Sequence, residues 1–74
     1  MDNPKIRAII IEDEPEALDL LTGLLEATGM ATVTASTTDP SEAIDLIVMH
    51  EPAMLFLDIR MPGMSGFDIL NALN

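Results

Sequence analysis

The chain reads as a single α/β unit built on a parallel sheet, and three observations predict it. Two purely apolar runs, Ala8-Ile9-Ile10-Ile11 and Ala53-Met54-Leu55-Phe56-Leu57, each end directly in carboxylates, Glu12-Asp13-Glu14 and Asp58. Such runs suit strands covered on both faces, whose last residues lie at a sheet edge where ligands bind. Between and after them, apolar residues recur at helical spacing, and the connections are short enough for right-handed crossovers between parallel strands.

Residues 5–11, from Lys5 to Ile11, form the first predicted strand. Pro15 follows where the first turn of a helix tolerates a missing N–H. Ala17, Leu18, Leu21, Leu24 and Leu25 predict the buried face of that helix, with Asp19 and Glu26 on the other side and Gly29 as its stop. Residues 31–36 alternate small or apolar side chains with Thr, which suits a strand exposed on one face or lying at an edge. Asp39 as N-cap, Pro40 at the first position and Glu42 three residues on, as in a capping box, announce a second helix. Ala43, Ile44, Ile47 and Val48 are its expected buried face, and His50 with Pro52 closes it. His50, in the last turn, reads as a solvated residue complementing the helix dipole and not as a phospho-carrier. A third strand, residues 53–57, leads through Met61-Pro62-Gly63-Met64 into a helix that opens around Ser65, with Phe67, Leu70 and Leu73 as its apolar side. Loop geometry accounts for Pro62, Gly63 and Gly66, and adaptable packing for Met61 and Met64.

At 74 residues the chain is one domain at most, near the lower limit for an adequate core without disulfides, a structural metal or a partner. It has no cysteine, so no disulfide framework or thiolate site exists, which fits a reducing cytosol and a cytoplasmic location. Thirteen acids face only Lys5, Arg7 and Arg60, for a formal charge of -10. That charge opposes nucleic acid and anionic membranes, and favours cations and basic protein surfaces as partners. No apolar stretch approaches the roughly 20 residues that span a bilayer. The polar Met1-Asp2-Asn3-Pro4 reads as the natural start of a soluble chain.

Acids gathered at strand ends suggest a cation site. Taken alone, Glu12, Asp13 and Glu14 suit an acidic helix N-terminus equally well, and a lone Asp after a strand is commonly a turn residue or N-cap. The two motifs together say more. Ile10-Ile11-Glu12-Asp13-Glu14, joined to Leu57-Asp58-Ile59-Arg60-Met61-Pro62-Gly63-Met64-Ser65-Gly66-Phe67, resembles the receiver domain of bacterial two-component response regulators. The second motif is the specific one.

The resemblance covers the chain but only about the first half to three-fifths of the family's domain. Residues 1–74 are therefore expected to be its N-terminal part, with strands one to three, helices one and two and the start of helix three. It implies an incomplete doubly wound, flavodoxin-like parallel sheet, strands ordered 2-1-3 with flanking helices. Strand three would be central in the complete order 2-1-3-4-5. Its edge is then expected to be completed by a homodimer, strand three antiparallel to strand three′, in the order 2-1-3-3′-1′-2′.

By the same resemblance Asp58 is the phosphoacceptor, taking a phosphoryl group from a sensor histidine kinase and holding it as an acyl phosphate. The implied cofactor is Mg²⁺, with Asp13 and Asp58 as direct ligands, Glu12 acting through water and the backbone C=O of Arg60 completing the protein contacts. A hard ion that keeps several waters suits that set. A carboxylate attacks an anionic phosphate only when charge is neutralised. Three crowded carboxylates also raise one another's proton affinity until a cation binds. No enzymatic activity is expected. The family's hydroxyl after strand four and Lys after strand five fall outside these residues, so switching output is expected to be lost. The alternatives are a non-phosphorylated dimerisation or decoy module and, remotely, a haloacid dehalogenase-like phosphatase, whose Asp-x-Asp pattern is absent from Asp58-Ile59-Arg60. Leu55 to Pro62 also resembles receivers that precede LytTR-type domains.

Overall fold

Ala8 to Ile11 lose all contact with solvent because the strand they form lies between two others. In the computed structural model, which describes residues 4–73, the elements are β1 (Ile6–Ile11), α1 (Pro15–Ala27), β2 (Ala31–Thr37), α2 (Ala43–His50), β3 (Met54–Leu57) and α3 (Gly66–Ala72). The sheet is parallel with order β2-β1-β3, the predicted α/β arrangement. Residues 1–3, which include the expected natural start, and Asn74 lie outside the described residues. Strand limits differ slightly from expectation: β1 begins at Ile6 and not Lys5, β2 runs on to Thr37, and β3 begins at Met54 and not Ala53. β3 is only half-buried throughout, not covered on both faces, and its far edge has no neighbour among the described residues.

The register between β1 and β2 shifts by one residue. Ala8 pairs with Val33, but Ile9 pairs with Ala35. Thr34 is the extra residue of a β-bulge, and its hydroxyl donates to the Ala8 carbonyl at 3.4 Å. In consequence Thr37, and not Ser36, lies opposite Ile11.

Successive side chains of a strand point to opposite faces. Ile9 and Ile11 face the side occupied by α2 and α3, where they form a core with Ala43, Met61 and Ile69. Ile10 faces α1, where with Leu21 and Phe56 it lines a cavity of about 250 Å³ that extends to Glu12 and Asp58.

Helix rotation is where the sequence reading needs correction. No residue of α1 is buried; Leu24 is 58% exposed because it sits one turn beyond exposed Leu20, on the flank of the half-buried stripe. The second helix is preceded by a 3-10 turn, Pro40–Glu42, so its regular α-turns begin at Ala43. Its contact stripe then runs through Ala43, Leu46 and Ile47, which turns Val48 outward to 67% exposure. In α3 the capping box forms as Ser65 N–H donates to Asp68 and Asp68 N–H donates to Ser65 Oγ. That cap sets Gly66 and Ile69 inward and leaves Phe67, Leu70 and Leu73 exposed, against their expected role as its apolar side.

The helix ends have clear causes. Gly29 turns the chain after α1 with φ 72°, a left-handed conformation glycine adopts without cost. Asp39 caps the 3-10 turn by accepting from Ser41 N–H at 3.0 Å and Ser41 Oγ at 2.8 Å, and these bonds hold its carboxyl below the usual range. Glu42 does not complete a capping box; its carboxylate accepts from the Thr37 hydroxyl instead. At the far end of α2, Glu51 takes φ 44°, and the Arg7 guanidinium donates to the His50 and Glu51 carbonyls. A cation there also complements the helix dipole. No helix among the described residues is long and apolar enough to cross a membrane.

Candidate functional site

Parallel pairing of Ile11 with Leu57 makes the residues that follow them leave the sheet side by side. Asp58 N–H donates to the Ile11 carbonyl and Glu12 N–H to the Thr37 carbonyl, each at 3.1 Å, so the ladder continues one residue past each strand. The acids therefore collect at the carboxyl ends of the strands, where the strand order reverses and where ligands bind in open α/β sheets. One carboxylate oxygen from each of Glu12, Asp13 and Asp58 lies within 4.8 Å of the others.

Such crowding is costly unless a proton or a cation relieves it. Glu12 is pushed up to about 7, first because its protonated form can donate a hydrogen bond to Asp58, then by burial and by the charges of Asp58 and Asp13. The same hydrogen bond holds Asp58 below the usual carboxylate range, helped by the Arg60 N–H, which donates to Asp58 Oδ1 at 3.0 Å. The shared bond thus moves the two in opposite directions, raising Glu12 and lowering Asp58. Glu12 Oε2 is buried without a hydrogen-bond partner among the described residues, an arrangement that calls for a donor or a cation. Hard oxygen donors of this charge fit a divalent ion such as Mg²⁺.

The sequence-predicted acids are brought together, while Glu14 is not. It occupies the N-cap position of α1 without making a side-chain cap bond and lies exposed, outside the cluster. Arg60 is also exposed and reaches Asp58 through its N–H.

Two residues escaped the sequence reading. Gly66, for which loop geometry is a sufficient reason in the sequence, opens α3 against the acidic loop, its N–H donating to the Ile59 carbonyl at 3.1 Å. A Cβ there would stand 2.7 Å from the Asp58 carbonyl oxygen and 3.1 Å from Ile59 Cα; only glycine lets the helix sit this close. Thr37 is the other, through its bond to Glu12.

The model of the response regulator receiver domain matches residues 8–74. The protein-glutamate methylesterase/protein-glutamine glutaminase of Paraburkholderia xenovorans is 36% identical over 69 residues, covering 93% of this chain and 19% of that protein. The DNA-binding response regulator MtrA of Mycolicibacterium smegmatis is 30% identical over 73 residues, 99% of this chain and 31% of the relative. Among solved structures, the signal receiver domain of NarL from Mycobacterium tuberculosis superposes with a TM-score of 0.89 at 31% identity, covering 96% of this chain and 57% of that one. The chain thus spans about a fifth to a third of the curated relatives named here. One expectation is overturned: against the absence of enzymatic activity expected from the sequence, methylesterase/glutaminase relatives from several bacteria are enzymes that share this segment.

Proposed function

The chain belongs to the response regulator receiver domain family, and from that premise we propose that it is the phosphoacceptor, Mg²⁺-binding part of a receiver in two-component signal transduction. Residues 1–74 correspond in this reading to the N-terminal portion of one receiver domain, and a sensor histidine kinase is the phosphoryl donor. The single observation that carries it is the convergence of Glu12, Asp13 and Asp58 oxygens within 4.8 Å at the strand ends.

Asp58 is the nucleophile. Its lowered proton affinity keeps it ionised, and the Arg60 N–H on Oδ1 fixes the rotation of the carboxylate. A carboxylate oxygen attacks phosphorus, the P–N bond of the donor breaks, and the imidazole departs with the bonding electron pair. Glu12, Asp13, Asp58 and the Arg60 carbonyl would hold Mg²⁺, which when bound neutralises charge on the phosphoryl oxygens. Gly66 keeps the loop carrying Asp58 seated on α3.

Incubation with Mg²⁺ and a small acyl-phosphate donor, followed by intact mass, should add about 80 Da, the mass of one phosphoryl group, to the parent chain and nothing to Asp58→Asn. Equal labelling of both proteins would remove Asp58 from the role. Mg²⁺ binding without labelling would favour an interaction module that accepts no phosphate.

A homodimer through the β3 edge belongs to the same proposal. β3 pairs with β1 alone among the described residues, and an unpaired apolar edge invites another strand. Light scattering of the dilute chain should return twice its mass; a folded monomer would dispose of the dimer and leave the phosphoacceptor reading intact.

A further inference from the structure

We infer that Thr37 and Glu42 act together as positioning residues for Glu12, holding it where it serves the cation site. The inference rests on the Mg²⁺ reading proposed above.

Thr37 is a buried polar residue, 7% exposed, so its hydroxyl needs partners within the protein. A hydroxyl has one hydrogen to give and lone pairs to receive. Here it donates to Glu42 Oε1 and accepts from Asp39 N–H at 2.9 Å. Glu42 is itself exposed and has solvent available, yet its carboxylate turns back to Thr37. Bonds to an ionised acceptor are among the stronger ones.

The backbone of Thr37 does a second job. Its carbonyl accepts the Glu12 N–H at 3.1 Å, beyond the last paired residue of β1. β2 is an edge strand with a neighbour on one side only, and the last residue of an edge strand frays unless something ties it down. The Glu42 carboxylate, together with the Asp39 N–H on the same hydroxyl, supplies that tie. Asp58 is placed independently, through its N–H to the Ile11 carbonyl and the Arg60 N–H to its carboxylate. Glu12 Oε2 has no hydrogen-bond partner of its own among the described residues. The Glu12 backbone sets the point from which its carboxyl group reaches Asp58, and that point is held through Thr37 by Glu42.

The test is Mg²⁺ titration of the full chain, followed by backbone amide shifts in nuclear magnetic resonance. Groups that orient a metal ligand typically contribute about 10- to 100-fold in affinity, and Thr37→Val and Glu42→Ala should each weaken Mg²⁺ binding by that order. Thr37→Ser keeps the hydroxyl and Glu42→Gln keeps an acceptor oxygen, so both should bind like the parent. The double variant Thr37→Val/Glu42→Ala should be no weaker than the worse single one. Parent-like affinity in Thr37→Val and Glu42→Ala would overturn the inference, and so would equal weakening by Glu42→Gln and Glu42→Ala, since charge alone would then explain it. A parent chain that ignores Mg²⁺, or whose affinity is untouched by Asp58→Asn, would defeat the underlying cation site. Hydrogen exchange gives a readout free of metal: the Glu12 amide of the parent should exchange as slowly as a strand amide. Loop-like exchange there would sink the positioning role even if Thr37→Val failed to fold.

Discussion

The two faces of the sheet are built to different standards. Beneath α2 and α3, Ile9, Ile11, Ala43, Met61 and Ile69 close into a core, whereas α1 buries no residue and leaves Leu20 and Leu24 more than half exposed. The acidic site lies at the strand ends between them, with Glu12 and Asp58 lining the cavity on the α1 side. The closed face supplies stability and fixes the strand ends. The open face leaves the carboxylates reachable.

Breaking the closed face should have the largest effect. Ile9→Ala removes a fully buried side chain and should cost about 2–5 kcal/mol by chemical denaturation, as large-to-small core changes do. Leu21→Ala, at the half-open cavity, should cost clearly less; equal losses would erase the contrast. Gly66→Ala comes next. Its Cβ meets backbone on the Asp58 loop, so a loss of about 1–3 kcal/mol is expected from overpacking, together with slower phosphoryl labelling of Asp58.

A pH effect should be smaller and specific to the site. Folding raises the proton affinity of Glu12 to about 7, so the folded chain binds that proton more tightly than the unfolded one. The resulting stability is fully present below the ordinary carboxylate range and is lost as pH rises to about 7. Asp58 works in the opposite sense: its lowered value stabilises the fold above the ordinary range, and this is lost in acid. Thermal melts of the ion-free chain should thus decline between the ordinary carboxylate range and about 7, and Glu12→Gln should flatten that decline. Smallest of all, Leu20→Ser and Leu24→Ser should change stability by no more than about 0.5 kcal/mol, as exposed positions do. A larger loss would mean that the α1 flank is covered in solution.

What the sequence disclosed and what it withheld divide along physical lines. Strands β1 and β3 were legible because an apolar run ending in acids is a local pattern, and pairing of Ile11 with Leu57 then carries Glu12 and Asp58 together. Helix rotation was not. The inward face of a helix depends on the residue where it begins, and the 3-10 turn before Ala43 and the cap at Ser65 moved Val48 and Phe67 outward. Thr37 was hidden for a different reason. Its place beside Glu12 depends on the register shift at Thr34, which no periodicity marks. Gly66 looked like any turn glycine, because its constraint comes from the approach of a backbone segment that precedes it in the chain.

The extra residue in β2 has a consequence for how such a chain can change. A pleated ribbon has parity, and Thr34 reverses it midway. Adding one residue between Thr34 and Ser36 would carry Ser36 into the place of Thr37 and withdraw the Glu42 tether while leaving the upstream pairing of Ile6 with Ala31 untouched. Single-residue insertions should therefore be tolerated in the turn before Ala31 and selected against between Thr34 and Thr37, an asymmetry that a library of length variants would reveal.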